Sequence, residues 1–396
     1  MRILHTADWH LGRTLEGRSR LEEQEAFLDE LVGIVRDQQI DLVLMAGDVY
    51  DTVNPPAQAE KLFYESISRL ADGGARQIVA IAGNHDNPER LAASAPLADR
   101  QGITLLGLPG TEAMPLDIRR TGERAMLYAL PYPSESRLKE LLSEDADEES
   151  LQVVYSDRIG AMIRQASQSF SKDTVNLIMS HIYVLGGAES DSERPIQVGG
   201  AYTVNAKAFG TAADYVALGH LHRPQSVKAD VPVKYSGSPL AYSFSEAGQA
   251  KSVTVLDISP GGTLRTEEIY LSSGRPLVRW KAAEGIAQVY RWFEENRDAS
   301  AWIDLEIHLE EALTMEQIQG LRKQRGGIVQ IRPIFTQASE QLPEEQERLP
   351  IDEMFSRFYS RQTGGAQPEP ELIRLFMELL NAEEDSDSES AGEARG

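Results

Sequence analysis

The chain contains no cysteine. That absence removes disulfides, thiolate metal sites and a cysteine nucleophile from consideration together. Long apolar runs are missing too, since no stretch approaches the roughly 20 residues that a membrane-spanning helix needs. The opening "MRILHTADWH" holds one arginine and turns polar at once, without the apolar segment of a secretory signal. The cytoplasm is therefore the expected compartment. Positive charge is scarce: Lys and Arg number 39 against 62 Asp and Glu, for a formal charge of −23. A protein that grips nucleic acid unaided is expected to show a basic face. Either this chain does not hold DNA or RNA strongly, or a partner supplies the positive field.

What is present suffices for two or more domains, because 396 residues at 41% hydrophobic content can bury a sizeable core. From residue 1 to about 270, β-type runs alternate with helical patterns. "RILHTA" precedes a segment with Leu28, Leu31, Val32 and Val35 at helical spacing. "DLVLMAG" follows, then a helical stretch over about 57–71, then "QIVAIAG". "ITLLGL", "AMLYALP", "VNLIMSH", "YVALGH" and "VTVLDI" come later. Strands alternating with helices predict an α/β fold of layered sheets flanked by helices. Several runs are continuously apolar, as central strands covered on both faces would be.

After "SSGRP" a compact β-α-β-α-β unit is expected over about 275–336. In its strand "WIDLEIHL", Ile303, Leu305, Ile307 and Leu309 alternate with Asp304, Glu306 and His308, which predicts one wet face. Thr314 followed by Gln317 reads as a capping box. "TQASEQLPEEQERLP" reads as a charged linker. Two short amphipathic helices are expected after it, one marked by Ile351, Met354, Phe355, Phe358 and Tyr359, the other by Leu372, Leu375, Phe376, Leu379 and Leu380. The expected division is 1–272, 275–336, 345–382 for the helical segment, and a solvated acidic tail over 383–396.

The chemistry gathers where apolar runs stop. "TADWH" ends the first strand with Asp8 and His10, which on an extended segment project to one side. "GDVYD" places Asp48 and Asp51 after "DLVLMAG". "GNHD" supplies Asn84, His85 and Asp86, "MSH" supplies His181, and "GHLH" supplies His220 and His222. In open α/β sheets the carboxyl ends of strands line the ligand crevice, and five of the seven histidines fall there. Each piece alone reads more readily as a polar loop or a structural histidine than as a ligand; their joint occurrence favours metal binding. Seven oxygen and nitrogen ligands suit two divalent ions, with Asp48 as a bridge giving four protein ligands to each. Imidazole, carboxylate and amide without sulfur leave manganese, iron and zinc as candidates. Two ions roughly 3.5–4 Å apart serve in-line hydrolysis of a phosphate ester.

The pattern "DWH…GDVYD…GNHD…H…GHLH" resembles the calcineurin-like metallophosphoesterase superfamily. The wider phrases "ILHTADWHLG", "GDVYDTVNPP", "IAGNHD" and "YSGSPLAYSFSE" are similar to its bacterial DNA-repair nucleases, relatives of the eukaryotic double-strand-break repair nuclease. The resemblance implies that Asp8, His10, Asp48 and His222 hold one metal, and that Asp48, Asn84, His181 and His220 hold the other. It implies that His85 faces the scissile phosphate and that the Asp51 carboxylate orients it and favours its protonated form. It further implies a capping role for the second unit, two divalent ions with Mn²⁺ foremost, a DNA substrate and a coiled-coil ATPase partner bound through the C-terminal helices. A homodimer formed through helices of the first domain, within a heterotetramer, completes that picture. The competing readings are a small-molecule phosphatase or cyclic-nucleotide phosphodiesterase with the same centre, and a scaffold that kept only the fold. His5 and His308 are expected to be structural and solvated, respectively. Arg90, Arg100 and Lys207 carry no distinguishing signal.

Overall fold

The computed structural model describes residues 1–133, 148–194, 202–309 and 311–335, and in a separate C-terminal unit residues 351, 354–356, 359, 368, 370 and 372–376. The chain begins with β1 (Arg2–Thr6), α1 (Leu21–Asp37), β2 (Leu42–Met45), α2 (Ala57–Ala71), β3 (Gln77–Ile81) and β4 (Ile103–Leu106). These four strands pair in parallel. Next come β5 (Met114–Asp117), β6 (Arg124–Leu130), α3 (Glu148–Ala166), β7 (Val175–His181), β8 (Tyr215–Gly219), β9 (Gln225–Val227) and β10 (Val233–Tyr235). They form a second sheet in the order β9-β10-β8-β7-β6-β5. The chain then returns through β11 (Ser252–Asp257) and β12 (Arg265–Tyr270), completing the first sheet as β12-β11-β1-β2-β3-β4.

Side-chain alternation explains the continuous apolar runs. Leu4, Val43, Met45 and Ile78 face α1 and α2, meeting Phe27, Leu31, Phe63 and Ile67. Their neighbours Ile3, Leu42, Leu44, Val79 and Ile81 face the second sheet, meeting Leu127, Leu177, Met179 and Ala217. The far side of that sheet is covered by Tyr155, Ile159 and Ile163 of α3. Strands covered on both faces have no polar side to show. Each fully buried large aliphatic contributes roughly 1.5–3 kcal/mol, so this four-layer sandwich is a firm base for the loops at its strand ends. α2 stops where Asp72 turns left-handed before Gly73 and Gly74.

Beyond it, β13 (Leu277–Ala282), α4 (Ile286–Glu294), β14 (Trp302–Leu309), α5 (Met315–Gln324) and β15 (Ile328–Phe335) build a three-stranded parallel sheet with two helices. Thr314 caps α5 as its spacing predicted, its hydroxyl accepting from the Gln317 amide while the Gln317 side-chain oxygen accepts from the Thr314 amide. Asp304 departs from the expected wet face, for it is buried. Arg332 donates two hydrogen bonds to it, at 2.9 and 2.7 Å, and Arg279 on the neighbouring strand lies 3.4 Å away. Two long guanidinium side chains roof this carboxylate, so alternation of residue type did not translate into exposure.

In the C-terminal unit, helical residues occur at 351, 354–356 and 359, and again at 370 and 372–376. Phe355 stacks on Phe376 with ring centroids 4.1 Å apart, while Ile351, Met354, Leu372 and Leu375 are exposed. The expected linker over 336–350, Phe358, Leu379, Leu380 and the tail over 383–396 lie outside the described residues. Among the described residues, no helix is long and apolar enough to cross a membrane.

Candidate metal centre

The carboxyl ends of β1, β2, β3, β7 and β8 meet at one rim of the sandwich. The loop after β1 runs beside the loop after β2, with the amides of Asp8, His10 and Leu11 donating to the carbonyls of Gly47, Asp48 and Val49 at 2.9–3.0 Å. Trp9 anchors the first loop, buried edge-on against Phe27 and Phe63, with its indole N–H on Thr6. Asp8 and His10 do not share a side by lying on an extended segment. Both have positive φ, 55° and 44°, as do Asp48 at 53° and His220 at 104°. Non-glycine residues in this region carry backbone strain of about 1–3 kcal/mol, which persists where the surrounding structure enforces it, often at functional sites.

Two glycines show how closely the loops approach. A Cβ on Gly83 would stand 2.1 Å from Asp48 Oδ1, and one on Gly47 would stand 2.3 Å from His181 Nδ1. Each therefore makes room for a side chain of the cluster.

Asp48 lies at the centre. Its Oδ1 accepts from the His85 amide at 2.9 Å, while Oδ2 lies 3.5 Å from His10 Nε2 and 3.4 Å from His181 Nε2. The His181 ring is fixed by a 2.9 Å contact from Nδ1 to the Ala46 carbonyl, which turns Nε2 toward Asn84 Oδ1 at 2.8 Å. Asp8 accepts from the His220 amide at 2.9 Å, and the His220 ring lies 5.5 Å from that of His181, centroid to centroid. His10 and His222 face each other through their Nε2 atoms at 3.0 Å. Ligand atoms of Asp8, His10 and His222 fall within 4.8 Å of one another, as do those of Asp8, Asp48 and His181, and those of His10, Asp51 and His85.

This donor set fits divalent cations. Two carboxylates and four imidazoles are buried together, and buried charge is costly unless paired or coordinated. His181 Nε2 meets the Asn84 side-chain oxygen and the Nε2 atoms of His10 and His222 meet each other, so atoms able to ligate a cation converge in pairs. His10 Nδ1 is buried without a hydrogen-bond partner. Burial pushes the Asp8 carboxyl well above its ordinary range. For His181, burial works downward, but Asp48 and then Asp8 outweigh it and push the imidazole up to about 9. Proton affinity there marks the pull on positive charge.

His85 sits at the edge of the cluster, its ring edge-on to His10 with centroids 4.7 Å apart. The expected partnership with Asp51 takes another form. His85 Nδ1 lies 2.7 Å from the backbone carbonyl of Asp51, and its carboxylate is 4.0 Å away. That carboxylate lies 3.3 Å from Arg13 and 3.5 Å from His10 Nδ1. Asp86 clamps the two loops, accepting from the amides of Val49, Tyr50 and Gly83 at 3.1, 2.9 and 2.8 Å. Burial, aided by Asp48 and opposed by those amides, pushes its carboxyl up to about 6.

Sequence reasoning missed a group behind His222. Ser192 Oγ is 2.6 Å from His222 Nδ1 and 2.6 Å from Glu246 Oε1, and Lys251 pairs with Glu246. The phrase "YSGSPLAYSFSE" contains Glu246, but a lone acid after a serine-rich run gave no sign of its burial. His5 lies between the sheets, its ring nitrogens 3.1 Å from the Tyr215 hydroxyl and from the Leu218 carbonyl. His308 is partly exposed beside Glu306.

Residues 1–224 match the family described as calcineurin-like phosphoesterase, and residues 273–363 match the type 5 capsule protein repressor C-terminal domain. The chain is 54% identical over 390 residues to the SbcD component of the nuclease SbcCD of Bacillus subtilis, covering 98% of this chain and all of that protein. Among solved structures, GAP50 of Plasmodium aligns with a TM-score of 0.42 at 13% identity, over 69% of this chain and 84% of that one. A dimetal phosphatase from Danio rerio aligns with a TM-score of 0.38 at 14% identity, over 69% and 99%.

Proposed function

Since the chain belongs to the calcineurin-like phosphoesterase family, and within it to the SbcD nucleases, we propose a specific division of labour at its strand ends. Asp8, His10, Asp48 and His222 hold one divalent cation; Asp48, Asn84, His181 and His220 hold the second, with Mn²⁺ the natural occupant. When bound, such a pair supplies Lewis acidity toward phosphate oxygens and lowers the pKa of the attacking water. What supports this assignment is the buried convergence of carboxylates and imidazoles around Asp48.

The chain's own groups do the rest. The Ala46 carbonyl holds the proton of His181 on Nδ1 and leaves Nε2 for the cation. The Asp51 carbonyl likewise holds the Nδ1 proton of His85, which leaves His85 Nε2 for the substrate rather than for a cation. As water joins phosphorus and the P–O bond breaks, protonated His85 gives the Nε2 proton to the leaving oxygen. Asp51 supports this site through Arg13 and His10 rather than by gripping His85.

The substrate under this reading is DNA, cut as an exonuclease on duplex ends and as an endonuclease on single strands or hairpins. The reaction takes place where the chromosome is, in the cytoplasm. Residues 1–272 form the nuclease domain, 275–336 cap it, and 345–382 bind the coiled coil of an SbcC-type ATPase, in a heterotetramer built on a homodimer of this chain. The charge of −23 supports such a partnership, because a partner would supply the basic DNA groove. The test is cleavage of linear duplex, hairpin and single-stranded DNA by the purified chain with Mn²⁺, Mg²⁺ or EDTA. Mn²⁺-dependent cutting abolished by EDTA is expected; hydrolysis of small phosphate esters alone would sink the DNA reading. Truncation before residue 345 should keep basal Mn²⁺-dependent cleavage and lose co-purification with the ATPase.

A further inference from the structure

The hydroxyl of Ser192 makes its two shortest contacts to His222 Nδ1 and to Glu246 Oε1, both at 2.6 Å, with the Ser190 hydroxyl farther off at 2.9 Å. A hydroxyl has one proton to give. Glu246 is fully buried, and Lys251 is paired with its other oxygen. An ionised carboxylate only accepts, so the Ser192 proton goes to Glu246. Ser192 Oγ must then accept from His222, which places the imidazole proton on Nδ1. The opposite ring nitrogen, Nε2, is left with a bare lone pair on the side where His10 and Asp8 gather.

The rest of the environment holds this direction in place. The amides of Tyr242 and Ser243 also donate to Glu246 Oε1, at 2.9 and 3.1 Å. Lys251 donates to the His222 carbonyl at 2.9 Å and to Ser238 Oγ at 3.0 Å. Glu193 accepts from the His222 amide at 2.8 Å, and Arg13 donates to the Ser192 carbonyl at 2.8 Å. Ring and backbone of His222 are thus fixed from separate sides, by a segment some thirty residues upstream and a turn twenty-odd residues downstream.

We propose that Ser192 is a positioning residue, oriented by Glu246 and Lys251, which fixes the tautomer and angle of His222 so that Nε2 is presented as a metal ligand. This rests on the reading of His222 as a ligand. Outer partners of a metal-bound histidine commonly change metal affinity by about 10–100-fold when removed, and that is the effect expected here.

The experiment uses the full-length chain. In metal-free wild type, ¹⁵N-edited NMR of the histidine side chains should find His222 protonated on Nδ1; a proton on Nε2 would overturn the proposal without any variant. Mn²⁺ titration by calorimetry should find two ions in wild type. Ser192→Ala should weaken one of the two by about 10–100-fold, and Ser192→Thr, which keeps the hydroxyl, should restore it. A Ser192→Ala protein that melts earlier yet keeps the Nδ1 tautomer and both affinities would reduce Ser192 to a structural contact and overturn the proposal. Failure of wild type to bind Mn²⁺ would instead refute the two-cation reading, a result separate from the tautomer.

Discussion

The His85 ring nitrogen Nδ1 sits 2.7 Å from the backbone carbonyl of Asp51 and 4.0 Å from the carboxylate of the same residue. Orientation of the histidine therefore survives loss of the side-chain charge. His85→Asn should cut DNA hydrolysis by about two orders of magnitude or more, the usual scale for lost acid–base help, while metal content measured by elemental analysis stays at two ions per chain. Asp51→Asn keeps the carbonyl and should cost less in kcat than His85→Asn. Equal losses in the two variants would return the orienting role to the carboxylate.

A single oxygen of Asp48, Oδ2, approaches both His10 and His181, at 3.5 and 3.4 Å. Asp48→Ala is expected to depress occupancy of both cation sites, whereas Asn84→Ala should affect one. Gly83→Ala offers a second approach, because its new methyl would meet Asp48 Oδ1 at 2.1 Å. Loss of bound Mn²⁺ should accompany that change with the far-ultraviolet circular dichroism preserved. Normal stoichiometry in both Asp48→Ala and Gly83→Ala would remove the bridge.

The central strands and the rim they carry were legible because both report through simple signals. Continuous apolar runs such as "LVLM" mark strands covered on two faces, and polar residues at their ends stand out against them. The edge strands gave no such signal: every residue of β12 (Arg265–Tyr270) is at least partly exposed, with no apolar face to repeat. The helix over Glu148–Ala166 was also missed. Its buried stripe of Tyr155, Ile159 and Ile163 is blurred by exposed Val153 and Val154. Spacing located Asp8 and His10 without revealing how they converge, because the turn to positive φ is imposed by neighbouring loops. Ser192 and Glu246 were invisible for a related reason: their meaning lies in a contact across 54 residues.

His5 predicts an acid limb in the stability profile. Burial, with a lesser push from Lys234 and partial opposition from the Leu218 carbonyl, lowers its imidazole to about 3 from an ordinary value of 6.5. Folded protein holds the ring neutral between the sheets, and unfolded chain takes a proton below pH 6.5. Stability from this group is thus complete above pH 6.5 and declines as pH falls toward 3. At pH 5 the loss amounts to roughly 2 kcal/mol. His5→Gln, which can still serve Tyr215 and Leu218, should flatten that limb by about this amount. Urea unfolding at pH 5 and 7.5 in EDTA checks it; an unchanged difference between the two pH values would exclude His5 as the cause.

Glu23 joins the small parallel sheet to the metal centre. Its Oε1 accepts from the Trp302 indole at 2.7 Å and Oε2 accepts from the Arg275 amide at 2.8 Å. Arg20, fully buried, donates to both oxygens at 2.6 and 2.8 Å and also to the Ala241 carbonyl. The next residue, Tyr242, donates its hydroxyl to the Trp9 carbonyl and sets its ring 5.4 Å from that of His10. Trp302→Phe removes one hydrogen bond to a charged group, worth roughly 1.5–3 kcal/mol, and keeps a ring beneath Arg275. Glu23→Ala leaves the Arg20 guanidinium buried without its counter-charge, which costs about 3–5 kcal/mol. Equilibrium unfolding should rank Glu23→Ala well below Trp302→Phe. Because Arg20 also supports the turn that carries Tyr242, Glu23→Ala should weaken Mn²⁺ binding as well, and Trp302→Phe should not. Equal destabilisation by the two variants, with Mn²⁺ affinity untouched in both, would show that the sheet is attached at Glu23 without any mechanical line to the metal centre.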